Sequence, residues 1–292
     1  MYDVIIIGMG ISGITAAIYA KRSNKKVLLI DKAMPGGTLN NIDKVSNYPG
    51  LVDISGPDFA ANLFKQIKTL DIPYKLEEVK SLKLTDNVKV IETTNNTYQA
   101  KNVILAMGRR PKMLGLENES SLLGRGISTC ALCDAFFYKD KDIAVVGTGN
   151  SALQETLYLA NIVNKIYLIN RRDGFRGDSM LVDQIKSLDN IEIIYNANIK
   201  ELNSENNKLS EIILANNKHI KVEGLFIYIG SIPETKIVPE DILDSDGYVI
   251  VDKYLKTKLP GVYAIGDIIK KDVYQLVTAA ADGARVISYL ED

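Results

Sequence analysis

The sequence predicts an α/β fold with two Rossmann-like nucleotide-binding domains, and three observations support this prediction. One pattern of strand, glycine turn, helix and strand occurs twice, over residues 2–31 and 142–172. In each copy an apolar run precedes the glycines and an Ala- or Leu-containing helical stretch follows them, which is the βαβ context that a dinucleotide motif requires. The chain has 292 residues, enough for two domains.

The first copy predicts a dinucleotide site. Gly8, Gly10 and Gly13 form a GxGxxG turn that allows a tight bend, close approach of a pyrophosphate and close packing of helix on strand. The pyrophosphate would lie at the helix N-terminus, where free N–H groups favour an anion. Asp31 ends the second strand, where a carboxylate accepts ribose hydroxyls and repels a 2′-phosphate, which favours FAD or NAD. The plainer alternative is an ordinary βαβ unit with a glycine turn.

The second copy predicts a different nucleotide. Its turn carries Gly147, Gly149, Ser151 and Ala152, but Asn170 stands at the end of the second strand in place of an acid. The segment "NRRDGFR" supplies three guanidinium groups, which match a phosphate dianion and favour NADPH over NADH: Arg171, Arg172 and Arg176. A solvated charge cluster, in which Asp173 pairs with one arginine, is the alternative.

Cys130 and Cys133 are the only cysteines of the chain, and they are three residues apart. A structural zinc needs about four N or S ligands, and the only histidine, His219, is distant in sequence and is expected at the surface. A static disulfide is unusual in the cytosol, so a redox couple at a helix start is the favoured interpretation. Asp134 follows Cys133 directly and is positioned to transfer a proton.

Composition narrows the range of partners and compartments. With 35 Lys+Arg against 36 Asp+Glu the net charge is −1, which argues against nucleic acid or a membrane surface held by bulk charge. No apolar run approaches the roughly 18–20 residues of a membrane span. A strand begins at the second residue and leaves no room for a signal peptide, so we expect a cytoplasmic protein.

The remaining segments predict short elements around the two copies. We expect a helix after the Gly/Pro-rich loop near residue 55, short strands over about 74–104 and 191–229, strand–loop–strand over 248–269, and a closing helix after residue 274. The aromatic residues 136–138 favour core or domain-interface packing. A docking surface for a protein partner is the alternative.

Taken in chain order, these motifs resemble the low-molecular-weight thioredoxin reductases, class II pyridine nucleotide-disulphide oxidoreductases, over nearly the whole sequence. The motifs are GxGxxG, GG-x-L, CxxCD-x-FF, GxGxSA, RRDGFR and a C-terminal GD. The resemblance implies three-layer β/β/α domains, the second inserted in the first. An FAD-binding domain would comprise residues 1–112 and 245–292, and an NADPH-binding domain carrying the CxxC would comprise 113–244. It also implies a homodimer.

The resemblance assigns site residues. Those implied for FAD are Gly8, Gly10, Gly13, Asp31, Gly36, Gly37, Asn47, Gly266, Asp267 and Gln275. Those implied for NADPH are Gly147, Gly149, Ser151, Ala152, Arg171, Arg172 and Arg176. The catalytic residues would be Cys130, Cys133 and Asp134, and no metal is implied. Five positions depart from the family pattern, namely Asn170 for His, Met107 for Thr, Thr38 for Gln, Tyr274 for Arg and Ala135 for Gly.

The implied activity is thioredoxin-disulfide reduction. Hydride would pass from NADPH to FAD, electrons would then reduce the Cys130–Cys133 disulfide, and dithiol–disulfide exchange would reduce thioredoxin. In the family Cys133 is nearer the flavin, Cys130 attacks the partner and Asp134 is the acid–base residue. Two alternatives stay open: ferredoxin as the electron donor on the same fold, or a flavin-binding redox sensor without rapid turnover.

Overall fold

The computed structural model describes residues 1–42, 45, 47–84 and 87–290. These residues form two compact units. Unit 1 comprises Met1–Asp43, Tyr48–Arg110 and Ile232–Asp292, and unit 2 comprises Lys44–Asn47 and Pro111–Ser231. The chain is mixed α/β with a parallel sheet in each unit, which confirms the predicted fold class.

Unit 1 is built on a sheet that has seven strands within the described residues: Tyr2–Ile7, Val27–Asp31, Tyr74–Leu76, Val79–Lys83, Lys89–Thr93, Thr97–Leu105 and Val262–Ala264. Tyr2–Ile7 is central and pairs in parallel with Val27–Asp31 on one side and with Thr97–Leu105 on the other. The second half of Thr97–Leu105 pairs in parallel with Val262–Ala264, and its first half pairs antiparallel with Lys89–Thr93. The apolar parallel strands are buried on both faces, as such sheets require.

The described residues of unit 1 form three α-helices: Ile11–Arg22, Gly56–Thr69 and Leu276–Val286. Ser55 caps the second of these, because its side chain accepts the N–H of Asp58. Gly283 lets the closing helix approach the first, since a Cβ there would lie 2.3 Å from the carbonyl oxygen of Ser12. Single turns of 3₁₀ helix occur at Gly37–Asn41, Glu240–Ile242, Gly266–Ile268 and Ile287–Tyr289.

Unit 2 repeats the parallel sheet with five strands in the described part of the chain: Ile127–Ser128, Asp142–Val146, Lys165–Ile169, Ile191–Ile194 and Gly224–Ile227. The strands Ile199–Glu205, Lys208–Leu214 and His219–Lys221 form a separate antiparallel sheet. The α-helices are Ala131–Asp134, Asn150–Ala160 and Ser179–Lys186, and 3₁₀ turns occupy Ser120–Leu122 and Ala135–Tyr138. Apolar clusters cover both faces of the parallel sheet.

The two connections between the units run as a ribbon of Arg109–Pro111 and Ser231–Pro233. Residues 232–244, which the sequence assigned to the inserted domain, lie in unit 1. The reason is local bonding, because Glu234 donates its N–H to the carbonyl of Gly108 and pairs with Arg110 at 2.9 Å. The inserted unit is therefore shorter than expected.

The helix and strand expectations elsewhere differ from the structure in one place. In place of the first strand expected at residues 248–251, Val249 forms two isolated bridges, one with Leu243 and one with Ile269. Tyr248 instead donates its N–H to the Asp244 side chain, which makes a turn there. No helix among the described residues is both long enough and apolar enough to cross a membrane.

Candidate functional site

The glycine turn of unit 1 has the backbone geometry of a phosphate cradle. Gly8 has φ +110°, and a Cβ on it would lie 2.3 Å from the carbonyl oxygen of Ala106, so only glycine fits. A Cβ on Gly13 would lie 2.0 Å from the carbonyl oxygen of Gly8. A Cβ on Gly10, in contrast, would meet nothing within 4 Å, so the backbone there borders open space.

The helix that follows this turn presents an uncapped N-terminus. Its N-cap is Gly10, which forms no side-chain cap, and the first turn carries no acid within the described residues. The first backbone N–H groups of a helix lack intrahelical partners and favour an anion. An uncapped N-terminus beside open space fits the pyrophosphate of a dinucleotide.

Asp31 lies at the end of the second strand and supports the turn. Its Oδ2 accepts the N–H of Met9 at 2.6 Å and its Oδ1 accepts the N–H of Ala33 at 3.1 Å. A carboxylate has further lone pairs, so it still has acceptor capacity toward ribose. Asp31 also lines a cleft of about 170 Å³ at the carboxyl ends of the strands, together with Gly8, Met107 and Glu78. Ligands of open parallel sheets bind at that edge.

Two further glycines bring a loop against the turn. Gly36 donates its N–H to the carbonyl of Met9 at 2.8 Å and has φ +120°. A Cβ on Gly37 would lie 3.2 Å from the Cα of Gly10. Gly37 therefore lies beside the glycine turn, while Gly36 is buried and joins the loop to the turn through Met9. Thr38 is exposed, and Asn47 is exposed and groups with unit 2.

The Gly266–Asp267 pair lies against the first helix. A Cβ on Gly266 would lie 2.5 Å from Oγ of Ser12, and its N–H donates to Oδ2 of Asp282 at 3.1 Å. The Oδ1 of Asp267 is enclosed and has no hydrogen-bond partner among the described residues. Burial raises the pKa of Asp267, while the neighbouring Arg109 and Lys271 act in the opposite direction. Such an acceptor near a phosphate cradle fits the sugar chain of a dinucleotide.

Gln275 begins the closing helix and is part of its capping box with Thr278. The Gln275 N–H donates to Oγ1 of Thr278 at 3.1 Å. The preceding residue, Tyr274, is one of the departures from the family pattern. The guanidinium carbon of Arg109 lies 3.4 Å from the centre of its ring. The structure thus brings an arginine to this place from another part of the chain.

The glycine turn of unit 2 repeats the geometry of the first. Gly147 has φ +136°, and its Cβ would lie 2.3 Å from the carbonyl oxygen of Tyr228. A Cβ on Gly149 would again meet nothing within 4 Å, and the helix after it has no side-chain cap. Ala152 is buried beside Gly147, and Ser151 is exposed. The second turn therefore fits the same kind of ligand group.

Asn170 organises the arginine loop of unit 2. It is 1 % exposed, its Nδ2 donates to the carbonyl of Gly174 at 3.0 Å, and its Oδ1 accepts the N–H of Arg172 at 3.0 Å. The N–H of Arg176 donates to the carbonyl of Thr148, which ties the loop to the glycine turn. The sequence identified Asn170 only as a departure, and its bridging of the loop was not predicted.

The arginines of this loop are directed to solvent. Arg171, Arg172 and Arg176 are all exposed. Asp173 forms no ion pair with any of the three among the ion pairs of the described residues. The alternative of a solvated charge cluster stays open, because it too requires exposed arginines. Exposed guanidinium groups beside a glycine turn fit a nucleotide phosphate.

Cys130 and Cys133 form a disulfide, with Cα atoms 5.3 Å apart. Cys130 is the N-cap of the helix Ala131–Asp134, and both sulfur-bearing residues are partly exposed. The helix is only four residues long, so its dipole acts on the thiol less than the sequence led us to expect. Among the described residues no group of three or more His, Cys, Asp or Glu side chains gathers as metal ligands would.

Ser128 connects Asp134 to the backbone of the disulfide loop. This buried residue donates its hydroxyl to Oδ2 of Asp134 at 2.6 Å, and its Oγ accepts the N–H of Cys130 at 3.1 Å. The same Oγ lies 3.3 Å from the carbonyl of Cys130. Because a hydroxyl has one proton, it donates to the nearer carboxylate. Sequence reasoning missed Ser128, whose only signal was its place two residues before the first cysteine.

Two more polar groups lie in the interior of unit 2. The hydroxyl of Tyr228 and Oε2 of Glu155 are buried and lack hydrogen-bond partners in the described part of the chain. Burial raises the pKa of Glu155, and burial together with the charge of Glu155 raises the pKa of Tyr228 well above its usual value. No motif in the sequence pointed to this pair.

The aromatic run after the motif divides between the two alternatives. Tyr138 is buried and packs edge-to-face on Phe226 at 5.2 Å, as predicted for core packing. Phe136 is 69 % exposed and Phe137 is 38 % exposed, so the packing prediction is wrong for Phe136. His219 is exposed and pairs with Glu211 at 3.2 Å, which confirms its surface position.

Comparison with known proteins places the chain among disulfide reductases. The family described as pyridine nucleotide-disulphide oxidoreductase matches residues 2–284. A thioredoxin reductase of Bacillus subtilis is 37 % identical over 292 residues, 97 % of this chain and 92 % of that protein. A crystal structure of thioredoxin reductase from Streptococcus pyogenes, 36 % identical, matches with a TM-score of 0.93 over 99 % of this chain and 96 % of that one.

A second kind of relative matches less closely. The crystal structure of a ferredoxin-flavin thioredoxin reductase from Clostridium acetobutylicum is 28 % identical and gives a TM-score of 0.54, over 99 % of this chain and 96 % of that one.

Proposed function

Because the chain belongs to the low-molecular-weight thioredoxin reductases of the pyridine nucleotide-disulphide oxidoreductase family, we propose that it reduces the disulfide of a thioredoxin with electrons from NADPH. The observation that carries this function is the closed Cys130–Cys133 disulfide, followed directly by Asp134, in a chain with two glycine cradles. The protein is an oxidoreductase flavoenzyme that uses FAD and NADPH.

The two cofactor sites follow from the two glycine turns. In unit 1 the residues that would hold FAD are the glycine turn, the Gly36–Gly37 loop, Asp31 and Asp267, with Gln275 as a further candidate. The resemblance also implies Asn47, which groups with unit 2. In unit 2 the second turn and the arginine loop would hold NADPH. FAD, when bound, supplies a two-electron carrier between NADPH and the disulfide.

The exchange step uses the chain's own dithiol. In the reduced protein the Cys130 thiolate attacks a sulfur of the thioredoxin disulfide, forming a mixed disulfide and releasing one thioredoxin thiolate. The Cys133 thiolate then attacks Cys130, which releases the second thioredoxin thiolate and restores the Cys130–Cys133 bond. The pair loses two electrons, thioredoxin gains two electrons, and the two thiolates take up two protons.

Asp134 is the group we assign to proton transfer in this exchange. It neighbours Cys133 in the chain and is held by Ser128, whose Oγ also accepts the N–H of Cys130. One side chain thus ties the carboxylate to the backbone of the attacking cysteine. The exposed Phe136 and Phe137 lie next to the motif, and we propose that they contact the thioredoxin.

An anaerobic titration tests the donor. Purified FAD-loaded protein is mixed with NADPH, NADH or chemically reduced ferredoxin, the flavin absorbance is followed, and thioredoxin disulfide is then added. We expect bleaching by NADPH at lower concentration than by NADH, and recovery of the absorbance when thioredoxin arrives. Bleaching by reduced ferredoxin but not by millimolar NADPH would overturn the proposal.

The two alternative functions, a ferredoxin-driven reductase and a redox sensor, have less support. A ferredoxin-driven reductase does not require the glycine turn of unit 2 or the solvent-directed arginines, and this chain has both. A redox sensor without turnover would bleach with NADPH but would not reduce thioredoxin in the steady state. We further propose that the protein is a cytoplasmic homodimer. Sedimentation of the purified protein tests the dimer.

A further inference from the structure

We propose that Arg109 is a positioning residue of the flavin site: its guanidinium group lies over the ring of Tyr274 and orients the Asp267 carboxylate as an acceptor for bound FAD. The inference rests on the proposed function in taking FAD as the ligand of unit 1. It concerns unit 1 alone, because all three residues belong to it.

The geometry has three parts. The guanidinium carbon of Arg109 lies 3.4 Å from the ring centre of Tyr274, which is a close stack. Its Nε lies 3.7 Å from Oδ2 of Asp267. The tyrosine ring is itself held, because its hydroxyl accepts the N–H of Lys271 at 3.2 Å. The arginine is therefore restrained by the ring and by the carboxylate together.

Asp267 requires such a neighbour. Its side chain is 32 % exposed, yet its Oδ1 is enclosed and lacks a hydrogen-bond partner among the described residues. A buried carboxylate oxygen without a donor is costly unless a nearby charge or a ligand compensates. Gly266, the preceding residue, packs on Ser12 in the helix that follows the glycine turn, so Asp267 follows a residue that borders the predicted FAD site.

The other charges around Asp267 are already engaged. Lys271 forms an ion pair with Asp282, and Oδ2 of Asp282 also accepts the N–H of Gly266. Arg285 lies 3.9 Å from the same carboxylate of Asp282. Burial and the charge of Asp282 raise the pKa of Asp267, and Arg109 is the largest of the influences that lower it. Arg109 is thus the cation directly paired with Asp267.

The test compares Arg109→Met with Arg110→Met in FAD-free protein. Arg110 is the matched control, because it is the next residue, carries the same charge and pairs with Glu234 at 2.9 Å instead. FAD binding is measured by flavin fluorescence over a range of pH. We expect Arg109→Met to raise the FAD dissociation constant about tenfold at neutral pH, the effect of losing a partly buried ion pair beside an enclosed carboxylate oxygen. Arg110→Met should change it less than about twofold, because its ion pair is exposed.

The pH profile separates positioning from simple structural damage. FAD binding weakens as Asp267 takes up a proton, and removing Arg109 raises the pKa of Asp267 further, so the midpoint of this loss should move to higher pH in Arg109→Met. Arg109→Lys keeps the charge and loses the flat stack, so it should weaken binding but leave the midpoint near that of the unchanged protein. Tyr248, Tyr274, Lys271 and Asp282 stay the same in both variants.

The outcomes are distinct. Equal FAD affinity in Arg109→Met and Arg110→Met would overturn the inference. Weaker binding by Arg109→Met with an unmoved pH midpoint would overturn it too. The same holds if the midpoint in Arg109→Lys moves as far as in Arg109→Met. Because the titration uses neither NADPH nor thioredoxin, its failure leaves the proposed reductase function intact. Conversely, if the protein proves not to be a thioredoxin reductase, a measured effect of Arg109 on FAD binding still supports the inference.

Discussion

Replacing Asn170 by alanine should weaken NADPH binding far more than NADH binding. Asn170 joins two sides of the arginine loop through Gly174 and Arg172, and it is almost fully buried. The substitution leaves one backbone carbonyl and one backbone N–H without their partner. The arginines that would contact the 2′-phosphate then lose their support, while the glycine turn that would contact the pyrophosphate stays unchanged.

The magnitude follows from the two hydrogen bonds. Each contributes about 1 kcal/mol net, and more where the abandoned partner stays buried, so we expect a loss of about 2 kcal/mol. That corresponds to about a thirtyfold increase in the NADPH dissociation constant. The loop does not unfold, because the N–H groups of Arg176 and Gly177 still donate to the carbonyl of Thr148. The N–H of Ala197 also still donates to the backbone carbonyl of residue 170.

Calorimetric titration with NADP⁺ and NAD⁺, together with KM values for NADPH and NADH, measures the effect. Asn161→Ala is the matched control, since Asn161 makes one similar bond to the carbonyl of Leu157 but lies on the exposed end of a helix away from the loop. We expect the control to keep its preference for NADPH. An unchanged ratio of NADPH to NADH affinity in Asn170→Ala would refute the reasoning that Asn170 shapes a phosphate-binding loop.

Three more outcomes are expected. Glu155→Gln should raise the free energy of unfolding by about 1 kcal/mol at pH 7. Burial raises the pKa of Glu155, so the protonated form that suits the folded protein is lost as the pH rises, and glutamine stays neutral. Denaturation at pH 5 should show a smaller gain, and an equal gain at both pH values would contradict this. Ser128→Ala should slow thioredoxin reduction about tenfold without changing flavin bleaching, because Asp134 loses its hydrogen-bond donor. Equal slowing of both steps would indicate general damage to the protein and contradict this role of Ser128. Gly10→Ala should fold normally, since its Cβ meets nothing within 4 Å, yet retain little FAD after gel filtration; full FAD content would count against the cradle.

Much of the unit architecture could be predicted because the relevant signals are local. The turn at Gly8 and the carboxylate of Asp31 belong to one continuous βαβ segment, so their spacing alone indicates that they meet. The same holds for Gly147 and the arginine loop in the second copy. Here strand, turn and helix each follow from residue type and order.

Other features could not be predicted because they depend on contacts distant in sequence. Arg109 stacks on Tyr274, which is more than 160 positions later, and no periodicity in the chain connects them. The buried pair of Glu155 and Tyr228 likewise forms only when a helix packs beside a distant strand. The expected strand at Tyr248 failed because the Asp244 side chain competes for its backbone N–H, which strand propensity does not consider.

The unit boundary shows a third kind of limit. The resemblance implied a boundary after residue 244, but the residues from Ile232 onward already belong to unit 1, where Glu234 pairs with Arg110. Such ion pairs between adjoining connections leave no mark in composition. The Asn47 position also cannot be assigned by sequence alone, because it groups with unit 2 although the resemblance implies a role in FAD binding.

The central claim is that the Cys130–Cys133 dithiol passes electrons to thioredoxin through Cys130. Its most direct test is Cys130→Ser, studied anaerobically with NADPH and then with thioredoxin disulfide, beside the unchanged protein. The claim predicts flavin bleaching by NADPH to the extent seen in the unchanged protein and no reduction of thioredoxin. Continued turnover of thioredoxin by the Cys130→Ser variant would contradict it.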